Sequence, residues 1–153
     1  MRSIARRFDR SLSSPSSLAR DAETGKADKD EVGRLGERLA ARWLWFRGMK
    51  VLFRNYRAPK GGEVDLVLRD GKVLVFCEVK TRTSLAFGRP VEAVTPAKQA
   101  LIAKGAMSWL DLLEMPDVRF RFDVVEVLLK DGEVPELNLI EEAFELPEPY
   151  IYG

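Results

Sequence analysis

Residues 61–82 read GGEVDLVLRDGKVLVFCEVKTR, two apolar, β-rich runs joined at Asp70-Gly71. Asp-Gly between such runs is a strong signal for a two-residue hairpin turn. With Asp70-Gly71 as that turn, Arg69 faces Lys72, Val67 faces Leu74, Asp65 faces Phe76 and Glu63 faces Glu78. Paired residues share a sheet face, and the face alternates with period two. Glu63, Asp65, Glu78 and Lys80 then emerge together at one end, with Val67, Leu74 and Phe76 further along the same face. Leu66, Leu68, Val73, Val75, Cys77 and Val79 fill the other. A hairpin apolar on both faces belongs inside a sheet that is covered on each side. Everything here depends on register, and a one-residue shift of the turn is expected to break the convergence.

The flanking chain supplies the cover. From about Asp30, Val32, Leu35, Leu39, Trp43 and Phe46 recur at helical spacing, and Gly48 stops the run. KVLFRNYRA reads as a strand, with Pro59-Lys60-Gly61-Gly62 as its turn. Thr95-Pro96 opens a second helix as N-cap and first helical residue, and that helix runs to about Glu114. VRFRFDVVEVLL is a further strand, followed by a short fifth element around Leu137–Ile140. The order α-β-β-β-α-β(-β) describes an α/β domain, a mixed sheet with helices packed on it. Residues 1–29 read as a flexible arm, 30–144 as the domain and 145–153 as a proline-broken tail.

Composition narrows the chemistry. The chain has no histidine and one cysteine, which excludes serine–histidine and cysteine–histidine pairs, an internal disulfide and a cysteine-based zinc site. No run is apolar enough for a membrane span. The N-terminal stretch lacks a signal-peptide core, so a cytoplasmic location is expected. Residues 34–60 hold eight basic residues and one acidic, whereas 108–153 hold three basic and twelve acidic. Such a lopsided field can steer a polyanion to one side of the molecule.

Three carboxylates beside one ammonium at the end of a buried sheet repel one another unless a cation joins them. Asp65 and Glu78 are diagonal neighbours on the lattice, near enough to share a hard divalent ion, and all-oxygen ligation favours Mg²⁺ or Mn²⁺. Lys80 points to the same face and can orient a water. The alternative is a solvated ladder of Glu63 and Asp65 with Lys80. In the first helix Glu37 has Gly33, Gly36, Ala40 and Ala41 around it. Each helical glycine costs roughly 1 kcal/mol against alanine, so close approach of a partner is expected there. Arg34, Arg38 and Arg42 form a basic ridge alongside, suited to phosphate. Trp43 and Trp45 cannot both face the core. Asp123 is expected to accept hydrogen bonds from Arg119, Arg121 or a backbone turn, and Cys77 to be a small core residue.

GRLGERLAARWL, GEVDLV, VFCEVKTR, FGRPVEAVTPAKQ and RFDVVEV, in that order, resemble the small bacterial YraN-like family of predicted endonucleases, the UPF0102 group. That family is similar to the PD-(D/E)XK, restriction-endonuclease-like nucleases and to archaeal Holliday junction resolvases. The resemblance implies that Asp65, Glu78 and the Val79 carbonyl ligate Mg²⁺ or Mn²⁺, with Glu37 as an added helix carboxylate. It implies that Lys80 positions the attacking water and that Gln99 contacts the site or a phosphate. Nucleic-acid contacts are expected from Arg34, Arg38, Arg42, Arg82 and Lys98. Two features depart from the pattern. Val64 stands before Asp65 where the signature has proline, and ALIAKGA after Gln99 is poor in basic residues.

The leading expectation is a metal-dependent endonuclease acting on DNA, branched or single-stranded forms included, with a homodimer suggested by the resolvases. Two alternatives stay open: a nucleic-acid-binding module with a vestigial site, and an adaptor whose acidic C-terminal half binds a basic partner.

Overall fold

A computed structural model describes residues 28–148; the expectation of an N-terminal arm lies almost wholly outside them. The elements are α1 (Lys29–Phe46), β1 (Lys50–Arg57), β2 (Glu63–Asp70), β3 (Val73–Arg82), a 3₁₀ turn (Pro90–Ala93), α2 (Pro96–Leu112), β4 (Phe120–Leu128) and β5 (Glu136–Phe144). They form one five-stranded sheet in the order β1-β2-β3-β4-β5. All neighbours are antiparallel except β3 and β4, whose parallel pairing follows from the α2 crossover between them. The mixed sheet with a helix on each face is the restriction-endonuclease-like α/β arrangement.

Each helix is capped as its sequence requires. The Asp28 carboxylate accepts the Asp30 N–H at 2.9 Å, and the Thr95 hydroxyl accepts the Lys98 N–H at 3.2 Å, with Pro96 in the first turn. One core forms between α1 and the sheet from Leu35, Leu39, Leu44, Leu66, Leu68, Cys77 and Val125. The second forms under α2 from Ile102, Ala103, Ala106, Val67, Phe76 and Val124. The central hairpin is therefore covered on both faces, as its double apolar pattern demands.

The register differs from the expected lattice. Asp70 pairs with Val73 and Val67 with Phe76, so Gly71-Lys72 is the turn rather than Asp70-Gly71. Moving a two-residue turn by one position changes every partner by two residues. Facing is thereby preserved, and the expected loss of convergence does not occur. Continued upward, this register sets Asp65 directly opposite Glu78.

Strict alternation fails at Asp65 itself. Leu66 and Leu68 pack toward α1, yet Val64, of the same parity, packs toward α2. Arg54 pairs with Leu66 and Tyr56 with Val64, which places Asn55 across from Asp65. Asn55 has φ +53°, a left-handed conformation uncommon for a residue with a side chain. The left-handed residue of β1 thus stands beside Asp65, at the point where β2 changes from one core to the other.

Candidate active site

The site is assembled at the kinked end of the hairpin. Asp65 is tied across the strands: its Oδ2 accepts the Val79 N–H at 2.9 Å. That bond fixes the carboxylate beside Glu78. Glu78 is 2% exposed, and its Oε2 has no hydrogen-bond partner among the described residues. Its Oε1 lies 3.5 Å from the Lys98 ammonium and 3.6 Å from that of Lys80. Burial, then the charge of Asp65, push the Glu78 carboxyl up to about 7, against the opposing pull of Lys98 and Lys80.

Glu37 approaches from the α1 side. Burial raises its carboxyl, and Asp65 raises it further, while an Asn55 hydrogen bond, Arg57 and Arg34 pull the other way. Among the described residues no three acidic, cysteine or histidine side chains close into a metal-ligand cluster, and Glu37 is linked to the acidic pair by the charge of Asp65 alone.

Close approach of α1 has a visible cause. A Cβ on Gly36 would lie 1.8 Å from Thr81 Oγ1, so only glycine lets the helix seat against β3. The same reasoning fails for Gly33, whose missing Cβ would meet nothing within 4 Å. On the other face Gly105 serves α2 as Gly36 serves α1, since a Cβ there would lie 2.9 Å from the Glu63 nitrogen.

Glu63 stands apart from the acidic pair. Arg57 and Lys98 both bridge to it. In place of the alternative ladder of Glu63 and Asp65 with Lys80 stand two arrangements: Glu63 with Arg57 and Lys98, and Glu78 with Lys80 and Lys98. Lys98, expected at a nucleic-acid surface, points into the carboxylates instead, because α2 begins directly above them. Gln99 donates its Nε2 to the Val94 carbonyl at 3.2 Å, and so ties down the start of its own helix. Arg82 is half-buried and reaches the Thr81 carbonyl at 3.4 Å.

Arg34 and Arg38 line a cleft of about 170 Å³ together with Glu37, Arg54, Asn55 and Leu66. Arg42 is exposed further along the helix. Trp43 packs partly against the α1 core with the Arg47 guanidinium 4.8 Å from its ring, and Trp45 is 63% exposed. Asp123 is fully buried and accepts both Arg121 Nε and the Glu142 N–H at 3.0 Å, the structural role expected of it. Cys77 lies in the α1 core.

Sequence reasoning passed over Asn55, Arg54 and Glu126. The RNYR run held the only signal for the first two, an asparagine inside a strand. Glu126 is buried and accepts Arg89 Nη2 at 2.8 Å, Asn138 Nδ2 at 3.0 Å and the Val91 N–H at 3.1 Å. Burial raises its carboxyl, but these three donors outweigh burial and hold it below the usual carboxylate range. A glutamate in an apolar strand marks such a role only once its partners are known.

The model of the uncharacterised protein family UPF0102 matches residues 36–127, from the Gly36 contact through β4. A UPF0102 protein of Geotalea daltonii is 47% identical over 122 residues, 80% of this chain and 95% of its own length. One from Beutenbergia cavernae is 53% identical over 100 residues, 65% of this chain and 84% of its own. One from Nocardia farcinica is 44% identical over 117 residues, covering 76% of this chain and 91% of that protein. On the family match and on relatives this similar along nearly their whole length, the chain belongs to the UPF0102 family.

Proposed function

We propose that this chain is a divalent-cation-dependent endonuclease that hydrolyses DNA phosphodiester bonds. The observation that carries the reading is Glu78 Oε2, a buried oxygen with no donor to meet it, set beside a second carboxylate on Asp65. Buried carboxylates at such spacing are tolerable with a shared proton or a shared cation. A hard ion fits the donor set, because Asp65, Glu78 and the Val79 carbonyl offer oxygen alone. When bound, Mg²⁺ or Mn²⁺ supplies charge neutralisation at the phosphate and an acidified water.

The remaining work falls to the chain. Lys80, close to Glu78, holds the attacking water by its ammonium and offsets charge that develops on the phosphoryl oxygens. The water oxygen bonds to phosphorus as the P–O bond to the leaving sugar breaks; the water gives up a proton to solvent, and the leaving sugar oxygen takes one from solvent. Arg34, Arg38 and Arg54 in the cleft beside Glu37 accommodate a neighbouring backbone phosphate. Asn55, through its bond to Glu37, keeps that carboxylate aimed at the site.

The two ammonium groups at Glu78 Oε1 favour a second reading, a nucleic-acid-binding module whose acidic pair is neutralised by lysine alone. Calorimetric titration of Mn²⁺ into the wild type and Asp65→Ala, followed by incubation with linear and branched DNA, separates them. Metal binding lost in the variant, with cleavage that tracks it, supports the nuclease. Negligible binding in both proteins and no cleavage overturn it.

A further inference from the structure

The loop after β3 contains a feature that the metal site does not explain. Phe87 is 96% exposed, the most exposed of the large apolar side chains among the described residues. Its loop is nonetheless firmly held. The Gly88 N–H donates to the Leu85 carbonyl at 3.1 Å, and the Arg89 N–H donates to Glu92 Oε2 at 2.7 Å. Gly88 has φ +95°, and a Cβ there would lie 2.1 Å from the same Glu92 oxygen, so the turn beside Phe87 admits only glycine. Arg89 and the Val91 N–H are clamped by Glu126, the buried carboxylate with no part in metal binding. Glu126 stands opposite Lys80 in the parallel β3–β4 register, so the clamp anchors the loop next to the water-holding lysine.

A braced loop that presents a bare aromatic ring to solvent is built to receive something flat. The chemistry around it indicates what. Lys80 and Arg89 bridge to Glu78 and Glu126, and Glu92 closes the turn, but Arg82 at the start of the loop bridges no acid among the described residues and can meet a phosphate. Leu85 and Ala86 are exposed beside Phe87, but the apolar stretch is only these three residues, bounded in the chain by Ser84 and Gly88, and is short of a broad patch for a protein partner.

We propose that Phe87 is a stacking platform for an unpaired nucleobase, and that it makes the chain select DNA with unstacked bases, single-stranded or at a branch, over continuous duplex. The inference rests on the nuclease reading and deepens it by naming the form of substrate. Every base has a π-face, so stacking here is indifferent to sequence but needs a base free of its stacked neighbours.

The test is equilibrium binding by fluorescence anisotropy with EDTA present, which separates recognition from cleavage. Wild type, Phe87→Ala and Phe87→Trp are titrated against a labelled single strand, a three-way junction and a blunt duplex. The alanine variant is expected to bind the single strand and the junction about tenfold more weakly, with duplex affinity nearly unchanged. The tryptophan variant is expected to restore binding, with its added indole emission quenched on the single strand. An equal loss on all three DNAs, no loss on any, or unquenched indole emission overturns the stacking role while leaving the nuclease reading intact. A wild type that binds none of the three, in EDTA and again with Ca²⁺ in its place, overturns both. A change in self-association without a change in DNA affinity would assign Phe87 to a protein contact and end the proposal.

Discussion

The Asp65 carboxylate is bonded to the backbone N–H of Val79, the residue that follows Glu78, at 2.9 Å. One hydrogen bond thus holds two acids from different strands together, and burial, followed by the charge of Asp65, lifts the Glu78 carboxyl to about 7. Asp65→Ala should release part of that lift. Carboxyl-carbon NMR titration of the metal-free variant is expected to show Glu78 ionising at a lower pH than in the wild type. An unchanged Glu78 would mean that burial alone sets its value.

The same lift makes the metal-free protein sensitive to pH. A carboxyl raised from 4.5 to about 7 keeps a proton that the unfolded chain has released, so the folded state binds more protons in that window. The contribution of Glu78 to stability is therefore undiminished below the unfolded value and declines as pH rises toward 7. The total loss is on the order of 3 kcal/mol. Urea unfolding of Glu78→Gln across this range should give a flatter profile than the wild type, and saturating Mn²⁺ should flatten the wild-type profile too.

Glu63 is engaged by Arg57 and Lys98 and is not a metal ligand in this arrangement. Glu63→Ala is expected to leave Mn²⁺ affinity within about fivefold of wild type, whereas Asp65→Ala should lower it by about 100-fold or more. Parallel calorimetry on the two variants checks the contrast.

Gly36 is the contact point of α1 with β3. Gly36→Ala should destabilise by about 2 kcal/mol, because overpacking against Thr81 exceeds the gain in helix propensity. Thr81→Ala in the same chain removes the oxygen that lies 1.8 Å from the added carbon, and should recover part of the loss. Denaturant midpoints of the four proteins of the cycle provide the measurement.

Arg34, Arg38 and Arg54 converge on the cleft from α1 and β1. If each meets a phosphate, replacement of any one by alanine should lower the slope of log affinity against log salt by about 1. Anisotropy measured at several salt concentrations gives the slope, and Arg69→Ala, on the far end of β2, serves as the control.

Much of this molecule could be read along the chain. The double apolar pattern of the hairpin specifies a covered central position, since each strand carries hydrophobic residues at both parities. Thr95-Pro96 and the heptad-like run from Val32 specify where two helices lie, because capping and helical periodicity are local. The grouping of Asp65, Glu78 and Lys80 survived an error in the turn, because a one-position move of a two-residue turn preserves facing. Local physics does not reach further than this. The left-handed backbone of Asn55 lies across from Asp65 only because β1 pairs with β2, and the influence of Asp65 on both Glu78 and Glu37 needs α1 packed on the sheet. Lys98 turns inward only because α2 crosses above Glu63 and Glu78, a docking that Gly105 permits by its lack of a side chain. Glu126 became a clamp rather than an unpaired buried charge because Arg89, Asn138 and the Val91 N–H arrive from 12 to 37 residues away. Secondary structure follows from neighbours in the chain. The charge state and partners of each acid follow from neighbours in space, and these exist only after the sheet has closed and both helices have packed.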